Sequence, residues 1–189
     1  MINVEDQKEN FKSIVKKYIH RDGIDNLMNW LDSTDFYIAP SSAKYHGAFE
    51  GGLCAHSIQV FNCLVEKMDK ESDNMETIAI ISLFHDLCKT NFYKVSMRNT
   101  KDESGKWIQV PYYEYSDQMP LGHGEKSMYL LMKHISLTDE EALAIRWHMS
   151  GWYSNNPGEQ QALSSAMHYS KLVLKLQQAD SEAAFFYNL

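Results

Sequence analysis

The chain has 189 residues, of which 44% are hydrophobic and 23% are charged, and its formal net charge is −7. This length and composition are typical of an ordinary globular domain that can bury a substantial core. No apolar run approaches the roughly 18–20 residues of a membrane span, and the acidic, amphipathic N-terminus does not resemble a signal peptide. The negative charge disfavours duplex nucleic acid as a partner, because duplex binding usually needs a clustered basic face.

Cysteine usage also bears on the compartment. The three cysteines, Cys54, Cys63 and Cys88, form an odd count and have no C-x-x-C spacing. This pattern argues against both a disulfide framework and a structural zinc knuckle. We therefore expect a cytoplasmic protein without a membrane partner.

The N-terminal part of the chain has helical periodicity. Residues 4–19 and about 24–32 predict two helices. Residues 33–52 interrupt the pattern, but their aromatic residues must pack, so we expect a shaped loop. The helical period returns from Leu53 to about Met68, where His56 is in register with core residues, and a further helix is predicted over 75–88.

Residues 92–116 change to a two-residue period. Tyr93, Val95 and Met97 alternate with polar residues, a turn follows at 102–105, and residues 107–115 are typical of a returning strand. We predict a β-hairpin over about 92–116, inserted into an all-α protein. This region is basic and rich in aromatic residues, and two interpretations stay open: a lid or wall that stacks a base and attracts phosphate, or a surface that packs on the helices or forms a dimer interface.

The C-terminal part predicts three more helices, at about 122–135, 139–149 and 160–183. Thr138 and Glu141 have the spacing of a capping box before the second of these helices. No internal repeat is visible. The fold class that we expect is all-α, in a single domain of residues 1–189.

The stretch Ala79–Lys89 is an apolar helix that ends in the adjacent pair His85 and Asp86. Burying a polar group without a partner costs roughly 2–7 kcal/mol. The commonest partners of histidine and aspartate together are a metal ion or each other. Further candidates for such a cluster are His56, His123, His148 and Asp180.

The order of these motifs resembles the HD superfamily of metal-dependent phosphohydrolases. The match consists of Gly51-Gly52-Leu53-x-x-His56, His85-Asp86-x-x-Lys89, His123, His148 and Ala179-Asp180. It covers a motif-bearing core of about 40–183, on which helices 4–32 would pack. Within the superfamily the chain is most similar to small stand-alone HD hydrolases and to the HD domain attached to some 3′-to-5′ exoribonucleases. The resemblance implies an HD-type helical bundle.

The resemblance also implies roles for individual residues. It assigns one divalent cation (Mn, Fe, Mg, Zn or Ni) to four ligands: His56, His85, Asp86 and Asp180. His123 and His148 match two extra histidines of the family, which are ligands of a second ion or act in catalysis together with Asp86 and Lys89.

Three residues are candidate substrate contacts. Lys89 would neutralise a phosphate, and His46 and Lys94 are the other two. There are two departures from the family: Cys88 stands where relatives often have glycine, and no residue matches the extra glutamate of some two-metal relatives.

Purely structural roles stay open for the same residues. His85 and Asp86 can form a core hydrogen bond, His56 and His148 can be satisfied core histidines, and Lys89 can complement a helix dipole. Asp180 and His123 can be surface or capping residues. Trp147, Trp152 and Tyr153 either line a pocket or only pack a loop. We interpret the other histidines as surface or packing residues: His20, His134 and His168.

Three functions follow as hypotheses. The first is a phosphohydrolase that acts through a metal-activated water on a phosphomonoester or phosphodiester of a nucleotide or short oligonucleotide. The second is a non-catalytic nucleotide-binding or interaction module, and the third is a single-strand nuclease. The partner that we expect is a small phosphate-bearing substrate such as a nucleotide, and a homodimer is compatible with the sequence.

Overall fold

A computed structural model of the protein describes residues 3–149 and 156–187. These residues form eight α-helices, one 3-10 turn and one two-stranded sheet. In chain order the elements are α1 (Val4–Tyr18), α2 (Ile24–Asp32), α3 (Gly52–Glu66), α4 (Met75–Phe84), the 3-10 turn (Leu87–Lys89), β1 (Tyr93–Lys101), β2 (Trp107–Tyr115), α5 (His123–Met132), α6 (Asp139–Trp147), α7 (Pro157–Tyr169) and α8 (Lys171–Phe185).

The all-α fold class expected from the sequence is wrong, because the structure mixes helices with an antiparallel sheet. The inserted hairpin itself is confirmed: β1 and β2 pair without a break from Tyr93 opposite Tyr115 to Lys101 opposite Trp107. The strands are regular because aromatic and β-branched residues recur at the two-residue period. Asp102 also closes the connection by accepting hydrogen bonds from the backbone N–H groups of Ser104 and Lys106.

Helix α4 lies at the centre of the helical body. All of its residues from Thr77 to Phe84 are buried, as expected of a helix that is apolar on every side. Helices α1, α3 and α6 pack around α4, and α8 packs on α3 and α6. Among the described helices, none is long and apolar enough to cross a membrane.

The helix predicted over 75–88 ends earlier, at Phe84. His85 is its C-cap, Asp86 follows with φ −103° and ψ 20°, and the chain then tightens into the 3-10 turn. The His-Asp pair therefore lies at a helix end, where the backbone can turn the two side chains towards neighbouring helices.

The single helix predicted over 160–183 is wrong: residues 157–185 form α7 and α8, separated at Ser170. Ser170 has extended φ and ψ, and its Oγ accepts a hydrogen bond from the N–H of Leu172 at 3.2 Å. Serine favours such a cap over a helix interior because its hydroxyl satisfies an orphan N–H. As a result His168 lies on α7, exposed, and not on the helix that carries Asp180.

A buried ion pair joins the N-terminal helices to α6. The Arg21 guanidinium contacts both oxygens of the Glu141 carboxylate, which has no exposed surface. Glu141 also completes the predicted capping box with Thr138, which is confirmed, and accepts a hydrogen bond from Thr77 Oγ1 at 2.8 Å. These contacts connect the α1–α2 junction, α4 and α6 at one point.

Candidate metal centre

Six side chains from five helical segments meet beside the end of α4. His85 and Asp86 directly follow α4, His148 directly follows α6, and His123 is the first residue of α5. His56 lies one turn into α3, and Asp180 lies on α8. Three overlapping groups of these residues bring one ligand atom each to within 4.8 Å of one another: His56, His85 and Asp86; His85, His148 and Asp180; and Asp86, His123 and His148.

The first part of the cluster has the spacing of a metal site. His56 Nε2 lies 3.0 Å from Asp180 Oδ1 and 3.7 Å from Asp86 Oδ2. His85 Nε2 lies 3.4 Å from Asp86 Oδ2 and 3.8 Å from Asp180 Oδ1. Two ligands at about 2.0–2.2 Å from a common ion, at right-angled or tetrahedral positions, are roughly 3.0–3.5 Å apart. The four distances lie in or close to that range.

The protonation of two imidazoles can be inferred from their partners. The Nδ1 atoms of His85 and His148 lie 2.7 Å from the carbonyl oxygens of Ser82 and Ile145. A carbonyl only accepts, so each Nδ1 carries a proton and donates. The Nε2 atoms of both residues are buried and have no hydrogen-bond partner within the described part of the chain.

These two nitrogens face carboxylate oxygens rather than donors. In a neutral imidazole with Nδ1–H, Nε2 presents a lone pair, so two acceptors face each other across 3.4 Å at His85 and 3.6 Å at His148. A charge-assisted N–H···O bond would bring the atoms to about 2.7–2.9 Å. A cation between the nitrogen and the carboxylate removes the conflict. The buried His/Asp cluster could therefore hold a metal ion.

Asp86 is shared between the two sides of the cluster. Its Oδ2 faces His56 and His85, while its Oδ1 lies 2.7 Å from His123 Nε2 and 3.6 Å from His148 Nε2. Burial alone would raise the pKa of Asp86, but Lys89 and the surrounding histidines hold that pKa well below its ordinary value. Asp86 is therefore an ionised carboxylate that can bridge two positions.

Asp180 is also ionised. Burial opposes ionisation, yet the hydrogen bond from His56 lowers the pKa of Asp180. The cluster thus contains two negative charges, one buried at Asp86 and one partly buried at Asp180, and both need positive charge nearby.

Lys89 supplies one such charge. Its Nζ lies 2.6 Å from Asp86 Oδ2. Burial would lower the pKa of Lys89, but the Asp86 carboxylate outweighs burial and raises it. The Lys89 ammonium is therefore charged, and it contacts the Asp86 carboxylate, which is a candidate metal ligand.

His123 has the opposite tautomer to His85 and His148. Burial raises the pKa of the Cys88 thiol to about 12, so the thiol is protonated and can donate to His123 Nδ1, 3.5 Å away. His123 Nε2 then carries the proton and donates to Asp86 Oδ1. Cys88 thus contacts His123 and fixes its tautomer.

The two glycines before α3 bring the preceding loop close to His56. Gly51 is the N-cap of α3 with φ 83°, a left-handed conformation that favours glycine. A Cβ on Gly52 would lie 2.0 Å from the carbonyl oxygen of Gly47. This close approach places the His46 ring 5.0 Å from the His56 ring. Burial, together with the charges of His56 and Lys89, lowers the pKa of His46 to about 4.

The remaining predicted residues have other surroundings. Lys94 is exposed on β1, where its Nζ lies 3.4 Å from Glu114 Oε2. Trp147 is buried at the end of α6, whereas Trp152 and Tyr153 lie outside the described residues. His20 and His168 are exposed and His134 stacks on Trp30, as interpreted from the sequence.

Sequence reasoning missed the groups that orient the ligands. The carbonyls of Ser82 and Ile145 lie three residues before His85 and His148, and this helical spacing could have suggested them. Burial raises the pKa of Tyr93, and the charge of Lys89 opposes the rise.

Comparisons of the chain with models of protein families, with curated proteins and with solved structures found no match.

Proposed function

We propose that the protein is a divalent-cation-dependent phosphohydrolase of the HD type, acting on the phosphate of a nucleotide or short oligonucleotide. One observation carries the proposal: the buried Nε2 atoms of His85 and His148 have no hydrogen-bond partner among the described residues and face ionised carboxylates. The motif order predicted from the sequence supports the HD assignment.

The donor set limits the ion. Imidazole and carboxylate ligands favour borderline or hard divalent cations, namely Mn, Fe, Mg, Zn or Ni. The first ion would be held by His56, His85, Asp86 and Asp180. A second ion would use Asp86 Oδ1 with His123 and His148, and Asp86 would bridge the two.

Such an ion supplies a water of lowered pKa and polarises a phosphoryl oxygen. The chain itself supplies the remaining parts. Lys89 is positively charged, and its ammonium group can move from Asp86 to a bound phosphate. His123 is partly exposed and has a lowered pKa, because burial disfavours its charged form, so it can exchange a proton with a leaving oxygen when it is not a ligand.

The test is the metal content of purified protein after incubation with Mn²⁺ and removal of free ion. We expect one or two ions per chain in the wild type and none in Asp86→Asn. Asp32→Asn is the matched control, because Asp32 is a surface carboxylate paired with Lys8 and Lys12, and it should keep the wild-type content. Equal metal content in wild type and Asp86→Asn would contradict the proposed centre.

Turnover separates the proposed function from its alternatives. We expect the metal-loaded protein to release phosphate or a nucleoside monophosphate from a nucleotide and short-oligonucleotide panel, with the rate reduced at least about 1,000-fold in Asp86→Asn. Metal retention with nucleotide binding and no turnover would indicate the binding module. Cleavage restricted to single strands, with a steep salt dependence of affinity, would indicate the nuclease.

A further inference from the structure

The hairpin has two chemically different faces. Residues directly opposite in an antiparallel pair share a face, so five pairs lie on one side: Tyr93–Tyr115, Val95–Tyr113, Met97–Pro111, the polar pair Asn99–Gln109, and Lys101–Trp107. This side carries the four most exposed large apolar side chains of the hairpin, with exposures of 68, 55, 66 and 64%: Val95, Met97, Trp107 and Tyr115. We call these four residues the apolar hairpin face.

Most of the hairpin's charge lies on the opposite side. Lys94 is paired there with Glu114, and the Arg98 guanidinium lies 5.4 Å from the Tyr112 ring centroid. Lys101, at the far end of the apolar hairpin face, lies 5.3 Å from the centroid of Trp107. The hairpin is thus amphipathic, although it is a two-stranded sheet without a third strand, and such sheets are marginally stable unless one face is covered.

The base of the hairpin is anchored to the helical body. The two ends of the hairpin are joined to each other by the N–H of Ser116, which donates to the carbonyl of Phe92 at 2.8 Å. Buried Lys126 on α5 pairs with Asp117 at 2.5 Å and lies 5.0 Å from the Phe92 ring centroid. The apolar hairpin face is therefore presented by a fixed support.

The area of this face meets the requirement of a dimer. An aromatic side chain covers roughly 150–250 Å², so Trp107 and Tyr115 at two-thirds exposure present about 250 Å², and Val95 and Met97 bring the face to roughly 450 Å². Two such faces in contact, with their rims, would bury on the order of 1,000 Å², the lower bound for a specific interface.

Charge favours the same region for self-association. The chain carries −7 overall, so two copies repel through most of their surfaces. Within β1 and β2 the apolar side of the hairpin carries a single charged residue, Lys101, because Lys94, Arg98 and Glu114 lie on the opposite side. Two such faces therefore meet with little like-charge repulsion.

We propose that the apolar hairpin face binds the same face of a second copy of this chain, forming a two-fold symmetric dimer. The surface is self-complementary because an apolar patch meets an identical patch across a two-fold axis. A single-stranded nucleic acid fits this face less well, because Lys94 and Arg98 lie on the other side of the sheet.

The test is sedimentation equilibrium of the full chain over a range of concentrations. We expect the wild type to have twice the monomer mass of 21.9 kDa. The double variant Val95→Thr/Met97→Thr should weaken dimerisation at least tenfold, because it removes exposed apolar area while keeping strand propensity. The matched control is Ile108→Thr/Val110→Thr, which makes the same kind of change on the opposite face and should dimerise like the wild type.

Met97→Lys is a second variant, and it should give a monomer because it places a charge in the contact. Met97 is more than half exposed in the single chain, so this substitution leaves the monomer fold intact. A wild type that stays monomeric up to about 100 µM, or a face variant that dimerises like the wild type, would overturn the proposal. So would a monomer whose tryptophan fluorescence responds to a short single-stranded RNA or to anionic phospholipid vesicles, since the face would then have another occupant.

Discussion

At the residue scale, the cluster is organised by what its histidines can donate. His85 and His148 each donate Nδ1–H to a backbone carbonyl, so the Nε2 lone pair of each ring points towards a carboxylate. His123 is oriented differently by Cys88 and donates to Asp86. The three imidazoles therefore have different roles although all of them contact the same carboxylate.

Gly52 gives a prediction at this scale. In Gly52→Ala the new Cβ would meet the backbone of Gly47, which cannot move aside without displacing the His46 loop. We expect the free energy of unfolding to fall by about 2 kcal/mol or more, together with weaker metal retention, because His56 lies one turn further along α3. Urea unfolding followed by circular dichroism measures the first effect.

Gly158→Ala is the control for that substitution. Gly158 lies at the start of α7, where the nearest atom to an added Cβ is Asn156 Oδ1 at 3.3 Å. Alanine there should be neutral or stabilising, by up to about 1 kcal/mol, because it reduces the entropy of the unfolded chain. If the two substitutions change the free energy of unfolding equally, the close contact with Gly47 is not the reason that position 52 requires glycine.

At the element scale, helix ends position several of the candidate metal ligands. The end of α4, the start of α5 and the end of α6 each present a histidine. The relative placement of α4 and α6 depends in turn on the buried pair of Arg21 and Glu141, which also contacts Thr77 on α4. The α1–α2 junction is thus coupled to the site through this ion pair and hydrogen bond.

Arg21→Met tests this connection. Removing one partner of a buried pair leaves Glu141 uncompensated, and we expect a loss of about 3 kcal/mol in the free energy of unfolding. Lys12→Met is the comparison, because Lys12 pairs with half-exposed Asp32 at 2.9 Å and should cost less than about 1 kcal/mol. Denaturant midpoints of both variants give the difference, and similar midpoints would contradict a structural role for the pair.

At the scale of the whole molecule, a bound cation should stabilise the fold. One buried carboxylate, one partly buried carboxylate and two buried acceptor nitrogens are costly without a cation, and that cost falls on the folded state. The stability of the protein should therefore depend on metal concentration.

Thermal unfolding checks this dependence. A cation at 100 times its dissociation constant contributes about 2.7 kcal/mol, which for a chain of this size raises Tm by roughly 5–10 °C. Mn²⁺ should raise the Tm of the wild type and EDTA should reverse the change, while Asp86→Asn should not respond. An equal response of that variant would mean that the ion binds elsewhere.

Much of the site could be anticipated because its signals are local in sequence. The burial of α4, the hairpin and the capping box at Thr138 follow from periodicity and short-range spacing. His56, His85 and Asp86 stand out because they are polar residues in apolar helices, whereas the choice of His123, His148 and Asp180 came from the motif order that resembles the HD superfamily. The break at Ser170 was missed because the apolar pattern continues on both sides of it, so only the cap itself marks the boundary.

The sequence by itself determined which residues can form strands and helices and which side chains can bind a cation. Only the tertiary structure decided that Lys89 contacts Asp86, that Lys94 pairs with Glu114, and which face of the hairpin is apolar and exposed. The reason is physical. Periodicity reports the environment of a residue along its own element, whereas the distances between ligands depend on how helices far apart in sequence pack together.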